Sequence, residues 1–104
     1  MLILTIENIP GRQITEIKGL VKGSTIRSKH IGKDIASSFK TIVGGELTSY
    51  NEMLTEARQI AIGRMVDEAE SIGANAIIGV RITSSAVAAG AAEMVAYGTA
   101  VVIE

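Results

Sequence analysis

Two arginines are the residues whose surroundings most suggest chemistry in this sequence. Arg58 lies in an apolar helical pattern, and Arg81 interrupts the run Ile77-Ile78-Gly79-Val80-Arg81-Ile82. A guanidinium in an apolar setting needs a carboxylate or a bound anion, because an unpaired buried charge costs several kcal/mol. Both arginines are therefore candidate ligand-binding residues.

Two interpretations of these arginines are open. The first is an ion pair within or between subunits, for example Arg81 with Glu93 across a hairpin. The second is an anion or small-ligand pocket that includes Tyr50 or Tyr97. A pocket of this kind at a cleft between subunits could also belong to a small enzyme.

His30 and Asp34 are the candidate metal ligands. They stand four residues apart, a spacing that places two ligands on one face of a helix. A tight transition-metal centre needs three or four donors, and the chain has one histidine and no cysteine. We therefore predict no cofactor. A metal ion held by oxygen and imidazole donors from several subunits is an alternative.

The residues offer little to an enzyme. Without cysteine there is no thiolate nucleophile, thiolate zinc site or disulfide. The serines do not lie in a Gly-x-Ser-x-Gly motif, and a single histidine would have to serve as every base. The sequence thus favours a protein that is not an enzyme, with no catalytic residue.

Composition favours a single domain that associates with copies of itself. The 104 residues have a mass of 10.9 kDa, 47% hydrophobic residues and a mean hydropathy of +0.35. A domain of this size buries only about two thirds of the surface of its unfolded chain, so much apolar surface is left for contacts with other chains. With no signal-like or membrane-spanning stretch, we expect a cytoplasmic homo-oligomer that does not bind membranes.

Charge is unevenly divided along the chain. Residues 1–40 contain seven basic and three acidic residues, and residues 41–104 contain three basic and eight acidic ones. The basic residues are not interleaved with aromatic side chains that could stack on bases, so we predict no nucleic-acid partner. Opposite charges meeting between subunits, or charged faces exposed to solvent, are simpler explanations.

The elements that would position these residues follow from hydrophobic periodicity. We predict strands at 2–6 and 14–27, joined as a hairpin by a type II turn at Pro10-Gly11. Gly19 and Gly23 are expected at bends, bulges or close backbone approaches. Apolar residues at Ile31, Ile35, Phe39 and Ile42 predict a short helix.

A longer helix is predicted from Ser49 to a C-terminal cap at Gly73, followed by strands at 76–83 and 93–103. The uncharged residues 84–92 between these strands are either a flexible hairpin loop or a segment pressed against another subunit. The order β-β-α-α-β-β indicates the α+β class, with a mostly antiparallel sheet and the helices packed on one face.

The ordered motifs resemble one known family. They are Val43-Gly44-Gly45-Glu46, Tyr50, Glu56-Ala57-Arg58, Gly73-Ala74-Asn75-Ala76, Gly79-Val80-Arg81 and Tyr97-Gly98-Thr99-Ala100-Val101. Together they are similar to the YbjQ family of small bacterial proteins, over nearly the whole of residues 1–104. The resemblance implies a dodecin-like subunit in a ring-shaped homopentamer and a label of heavy-metal binding. The matching motifs do not include His30.

Overall fold

The computed structural model describes residues 1–28 and 48–104. These residues form four strands and one helix: β1 (Leu2–Ile3), β2 (Ile14–Ser28), α1 (Thr48–Ser71), β3 (Ala76–Ala88) and β4 (Ala91–Ile103). The α+β class is confirmed. The helix predicted at 31–42, together with His30 and Asp34, lies outside the described residues.

The strands make one mixed sheet in the order β1-β3-β4-β2. β4 is antiparallel to both of its neighbours, β2 and β3, whereas β1 is parallel to β3. β1 and β2 therefore lie at opposite edges of the sheet, and the predicted hairpin between them is wrong.

The predicted turn itself is present. The Arg12 amide donates to the Ile9 carbonyl at 3.1 Å, and Gly11 has a φ of +76°, as the third position of a type II turn requires. The residues before the turn continue along β3, where the Leu4 amide donates to the Ile77 carbonyl at 2.8 Å. This part of the chain is thus already paired with β3. The turn therefore directs the backbone to the opposite edge of the sheet, where β2 lies, instead of closing a hairpin.

Helix α1 packs on one face of the sheet. Its buried side chains recur every four residues and are mostly small: Met53, Ala57, Ala61, Met65 and Ala69. A Cβ on Gly23 of β2 would lie 2.1 Å from the Ala61 carbonyl oxygen and 2.3 Å from the Met65 nitrogen. Gly23 therefore marks a close backbone approach, as predicted, because only a residue without a side chain fits under the helix.

The C-terminal end of α1 is closed by backbone hydrogen bonds. The Gly73 amide donates to the Glu70 carbonyl and the Ala74 amide to the Ala69 carbonyl, at 3.1 and 3.0 Å, and Gly73 has a φ of +84°. This is the Schellman arrangement, in which the residue at positive φ is usually glycine. The predicted cap is confirmed, and Ile72, which follows the last residue of the helix, is exposed.

A second, smaller apolar cluster lies on the sheet face opposite α1. It consists of Ala76, Ile78, Val101 and Ile103, covered by Ile9 and Ile14 from the β1–β2 connection. The connection thus buries only the end of this face near the chain termini. The rest of the face, called here the open face, has no cover among the described residues.

Beyond Val80, β3 and β4 continue as a long arm. Residues 84–92 form the ends of both strands and a tight turn at Ala89-Gly90, with Gly90 at a φ of +74°, so the flexible loop predicted as one alternative for them is wrong. The arm contributes to an elongated body of 53 × 24 × 16 Å. The helix described in residues 48–71 is not apolar enough to cross a membrane.

Candidate functional site

A bulge in β3 determines where Arg81 lies. Ile78 is paired with Thr99, but the next pairing is Arg81 with Tyr97, so one extra residue is accommodated in β3. Gly79, with a φ of +61°, supplies the backbone geometry. Without the bulge Val80 would lie opposite Tyr97; with it, Val80 is buried and Arg81 is exposed on the open face.

A bulge in β2 acts in the same way on Lys22. The register shifts between Ile17 and Gly19, where Gly19 has a φ of +114°. As a result Lys22 is paired with Tyr97 and is exposed, whereas its neighbour Val21 is fully buried. The prediction of a special backbone role for Gly19 is confirmed.

Lys22, Tyr97 and Arg81 therefore form one row across β2, β4 and β3. Directly paired residues of antiparallel strands project from the same face, with neighbouring Cβ atoms about 5 Å apart. We call this set the cationic row. The rows on either side of it on the open face contain Leu20, Thr99, Ser24, Val95 and Thr83, none of which is charged.

The guanidinium of Arg81 is held by backbone oxygens. Its Nη1 donates to the Thr5 carbonyl at 3.0 Å and to the Val80 carbonyl at 2.9 Å. The ion pair suggested with Glu93 is wrong, because β4 places Glu93 opposite Ser85, four residues beyond Arg81 on β3. Among the described residues Arg81 has no carboxylate partner, and its Nε and Nη2 are left for other acceptors.

The structure does not bring Arg58 into this row. Arg58 is exposed on α1, which covers the other face of the sheet, and its Nη2 donates to the Thr55 hydroxyl at 3.1 Å. The apolar setting expected for Arg58 is wrong, because its side chain lies on the polar side of the helix. Tyr50 is in the first turns of the same helix, and its side chain lies outside the described part of the chain.

Sequence reasoning found Arg81 and Tyr97 but missed Lys22. The alternation of residues 15–25 already placed Val21 and Gly23 on one face, which leaves Lys22 on the other. The missing information was the pairing partner, because only the sheet register shows that Lys22 faces Tyr97.

For the metal alternative, residues 1–28 and 48–104 contain no cluster of three or more potential His, Cys, Asp or Glu ligands.

Fold and site together define a small α+β protein in which one face of a mixed sheet is covered by a helix and the other carries the cationic row. The chain matches the YbjQ family model, described as "Putative heavy-metal-binding", over residues 1–104, and it belongs to this family.

Curated relatives agree with this placement, and a solved structure has a similar fold. The chain is 78% identical over 104 residues to a UPF0145 protein of Clostridium perfringens, covering 98% of that protein. It is 61% identical over 104 residues to a UPF0145 protein of Thermosipho africanus, covering 96% of it. A crystal structure of a DUF74-family protein of unknown function from Pediococcus pentosaceus has a similar fold, with a TM-score of 0.64, 19% identity and coverage of 100% and 98% of the two chains.

Proposed function

We propose that this protein is a non-enzymatic binding or scaffold module that works as a homo-oligomer, with a ring of five subunits as the expected assembly. The observation that carries the proposal is the apolar surface of the open face. Ile17, Leu20 and Ile26 of β2 are 72%, 69% and 60% exposed. Several large apolar side chains exposed on one face favour a contact with another chain.

The outer edge of β3 supports the same proposal. β1 and the residues after it reach β3 only as far as Val80, whose amide donates to the Leu4 carbonyl at 3.0 Å. From residue 82 to residue 88, β3 has no described partner on this side, and these residues include no charge and no proline. Natural proteins usually protect an exposed strand edge with charged residues or proline. An edge without them favours pairing with a second copy.

The non-enzymatic part of the proposal is supported by the side chains that the open face presents. The described polar side chains of the open face are hydroxyls, a lysine, an arginine, a tyrosine and one carboxylate, Glu93, which faces Ser85; none of the described residues is a histidine that could act as a base beside a hydroxyl. The relatives reported above have names that specify no reaction. The family description supports heavy-metal binding as a second candidate, in which His30 and Asp34 would come from several subunits.

The experiment is sedimentation equilibrium at micromolar concentration, with the wild type compared with two single variants. Leu20→Gln replaces an apolar side chain on the open face, and Ile72→Gln replaces one that is exposed beside the end of α1. We expect the wild type and Ile72→Gln to sediment at five times the mass of the 10.9 kDa chain. Leu20→Gln should dissociate at higher concentration, because its interface loses apolar area.

A stable wild-type monomer would remove the proposal, and equal dissociation of the two variants would remove the open face from it. Native mass spectrometry of the same wild-type sample with zinc, copper or nickel tests the metal candidate. Stoichiometric uptake that is lost in His30→Ala would support that candidate. No uptake, or uptake that His30→Ala leaves unchanged, would count against it.

A further inference from the structure

We propose that the cationic row is a binding site for a small organic oxyanion, a carboxylate or a phosphate monoester. The row consists of Lys22, Tyr97 and Arg81, one side chain from each of three adjacent strands. The proposal concerns what the open face binds. In the proposed assembly the row lies between Leu20 and Ile26, so the anion would be bound within the contact between subunits.

The two bulges are the first argument. β2 and β3 each contain an irregularity with a glycine at positive φ, and each irregularity precedes the cationic row by two or three residues. Together they place Lys22 and Arg81 on either side of the same tyrosine. Bulges commonly re-aim a side chain beside a functional site.

Unbalanced charge is the second argument. Lys22 has no ion-pair or hydrogen-bond partner for its side chain among the described residues, and Arg81 donates only to neutral carbonyls. Glu7 lies beside the β3 bulge, with its Cγ 3.9 Å from the position that a Cβ on Gly79 would take. It forms no ion pair with Arg81 in the described structure. The row thus has two positive charges and no described counter-charge.

The orientation of Arg81 is the third argument. The carbonyls of Thr5 and Val80 take both hydrogens of Nη1, which fixes the guanidinium at the edge of the sheet. Nε and Nη2 are then a pre-oriented pair of donors, the geometry that binds a carboxylate or phosphate with two parallel hydrogen bonds. An arginine held in this way loses less side-chain entropy when it binds an anion.

The neighbouring side chains indicate the class of anion. Tyr97 is 37% exposed, so part of its ring faces solvent, and its hydroxyl has no hydrogen-bond partner among the described residues. Leu20, in the next row, is 69% exposed. A ligand with an apolar or aromatic body can cover the ring and Leu20 while its oxyanion contacts the two cations. An inorganic ion would leave this apolar surface exposed to water.

The test uses phenyl phosphate as the probe and nuclear magnetic resonance of protein with ¹³C-labelled tyrosine rings. The chain has two tyrosines, so Tyr97 is assigned by the signal that disappears in Tyr97→Phe. We expect phenyl phosphate to shift the Tyr97 signal with saturation. Benzyl alcohol, which has the ring without the charge, should not shift it.

Two variants that each lose one positive charge distinguish binding at a specific site from nonspecific attraction of the anion to positive charge on the protein. Arg81→Gln removes a guanidinium from the row, and Arg58→Gln removes one from the helix on the other side of the sheet. Arg81→Gln should weaken binding about tenfold, as expected for the loss of hydrogen bonds to a charged group. Arg58→Gln should leave binding within about twofold of the wild type.

The proposal is overturned if phenyl phosphate gives no saturable shift of Tyr97, if benzyl alcohol shifts it equally, or if the two arginine variants bind alike. Circular dichroism of each variant establishes that it is folded, which is expected because both side chains are exposed. Sedimentation of the same samples keeps this test separate from the assembly. A wild-type monomer that binds phenyl phosphate contradicts the oligomer alone, and an oligomer that does not bind contradicts the anion site alone.

Discussion

The two halves of strand β3 differ although they belong to one continuous element. From Ala76 to Val80 the strand has apolar side chains and is buried on both faces, except at the bulge glycine. From Arg81 to Ala88 every residue is exposed. The change from buried to exposed residues occurs at Arg81. There the pairing of β3 with the N-terminal segment ends, and the Arg81 guanidinium donates to the Thr5 carbonyl.

This difference shows which part of the molecule is stable by itself. The first half lies against α1 on one face and beneath Ile9 and Ile14 on the other. The second half is composed mainly of Ser, Thr and Ala, with apolar Ile82 and Val87 exposed among them. An uncharged strand with one free edge gains stability by contact with another chain, so the comparison predicts different responses to mutation in the two halves.

The largest effect on stability is expected from adding a side chain where α1 and β2 are in close contact. In Gly23→Ala the new Cβ would lie within 2.3 Å of backbone atoms of Ala61 and Met65, which no side-chain rotation can relieve. We expect the free energy of unfolding to fall by about 3 kcal/mol, measured by urea denaturation.

Gly63→Ala is the matched control for this change. Gly63 is in the interior of α1, and a Cβ there would meet nothing within 4 Å. It should raise stability by about 0.8 kcal/mol, because alanine has the higher helix propensity. If both variants were equally stable, the close approach of helix and sheet would be wrong.

A smaller contrast separates the core from the arm. Met65 of α1 is fully buried against the sheet, and Met65→Ala should cost about 2 kcal/mol by leaving a cavity. Val87 is 51% exposed in the arm, and Val87→Ala should change the stability of a monomer by no more than about 0.5 kcal/mol. Thermal unfolding at several protein concentrations checks both values. A large loss in Val87→Ala at high concentration alone would place the arm in an interface.

A similarly small effect is expected at the ion pair between Arg27 of β2 and Glu56 of α1. The two side chains are 37% and 55% exposed. Glu56→Gln should therefore cost no more than about 1 kcal/mol, and 1 M salt should reduce the difference. Denaturant titrations at low and high salt measure it. A loss as large as that of Met65→Ala would show that the contact between the end of β2 and α1 depends on this pair as much as on apolar burial.

The sequence predicted the elements better than their pairing. Local signals identified the turn at Pro10-Gly11, the cap at Gly73 and the special roles of Gly19 and Gly23, because each depends on backbone geometry within a few residues. The hairpin between β1 and β2 was wrong because adjacency in sequence does not determine which strand edge is available. The flexible loop suggested for residues 84–92 was wrong because small uncharged side chains give no periodic signal of a strand.

The candidate site was predicted in part for the same reason. Arg81 and Tyr97 were noticeable as polar residues in apolar strands, but the partner suggested for Arg81 was a carboxylate, whereas the structure provides the carbonyls of Thr5 and Val80. Every residue has a backbone carbonyl, so the identities of Thr5 and Val80 do not indicate that their carbonyls accept these hydrogen bonds. Arg58 was grouped with Arg81 although the sheet separates them.

The amino-acid sequence by itself determined the α+β class, the family and the excess of apolar residues, since composition and local periodicity depend only on neighbouring positions. Tertiary structure alone decided that Lys22, Tyr97 and Arg81 share one row. Side chains alternate between the two faces of a strand, so a single extra residue in β2 or β3 moves every later side chain to the other face. Only the paired strands reveal where those extra residues are placed.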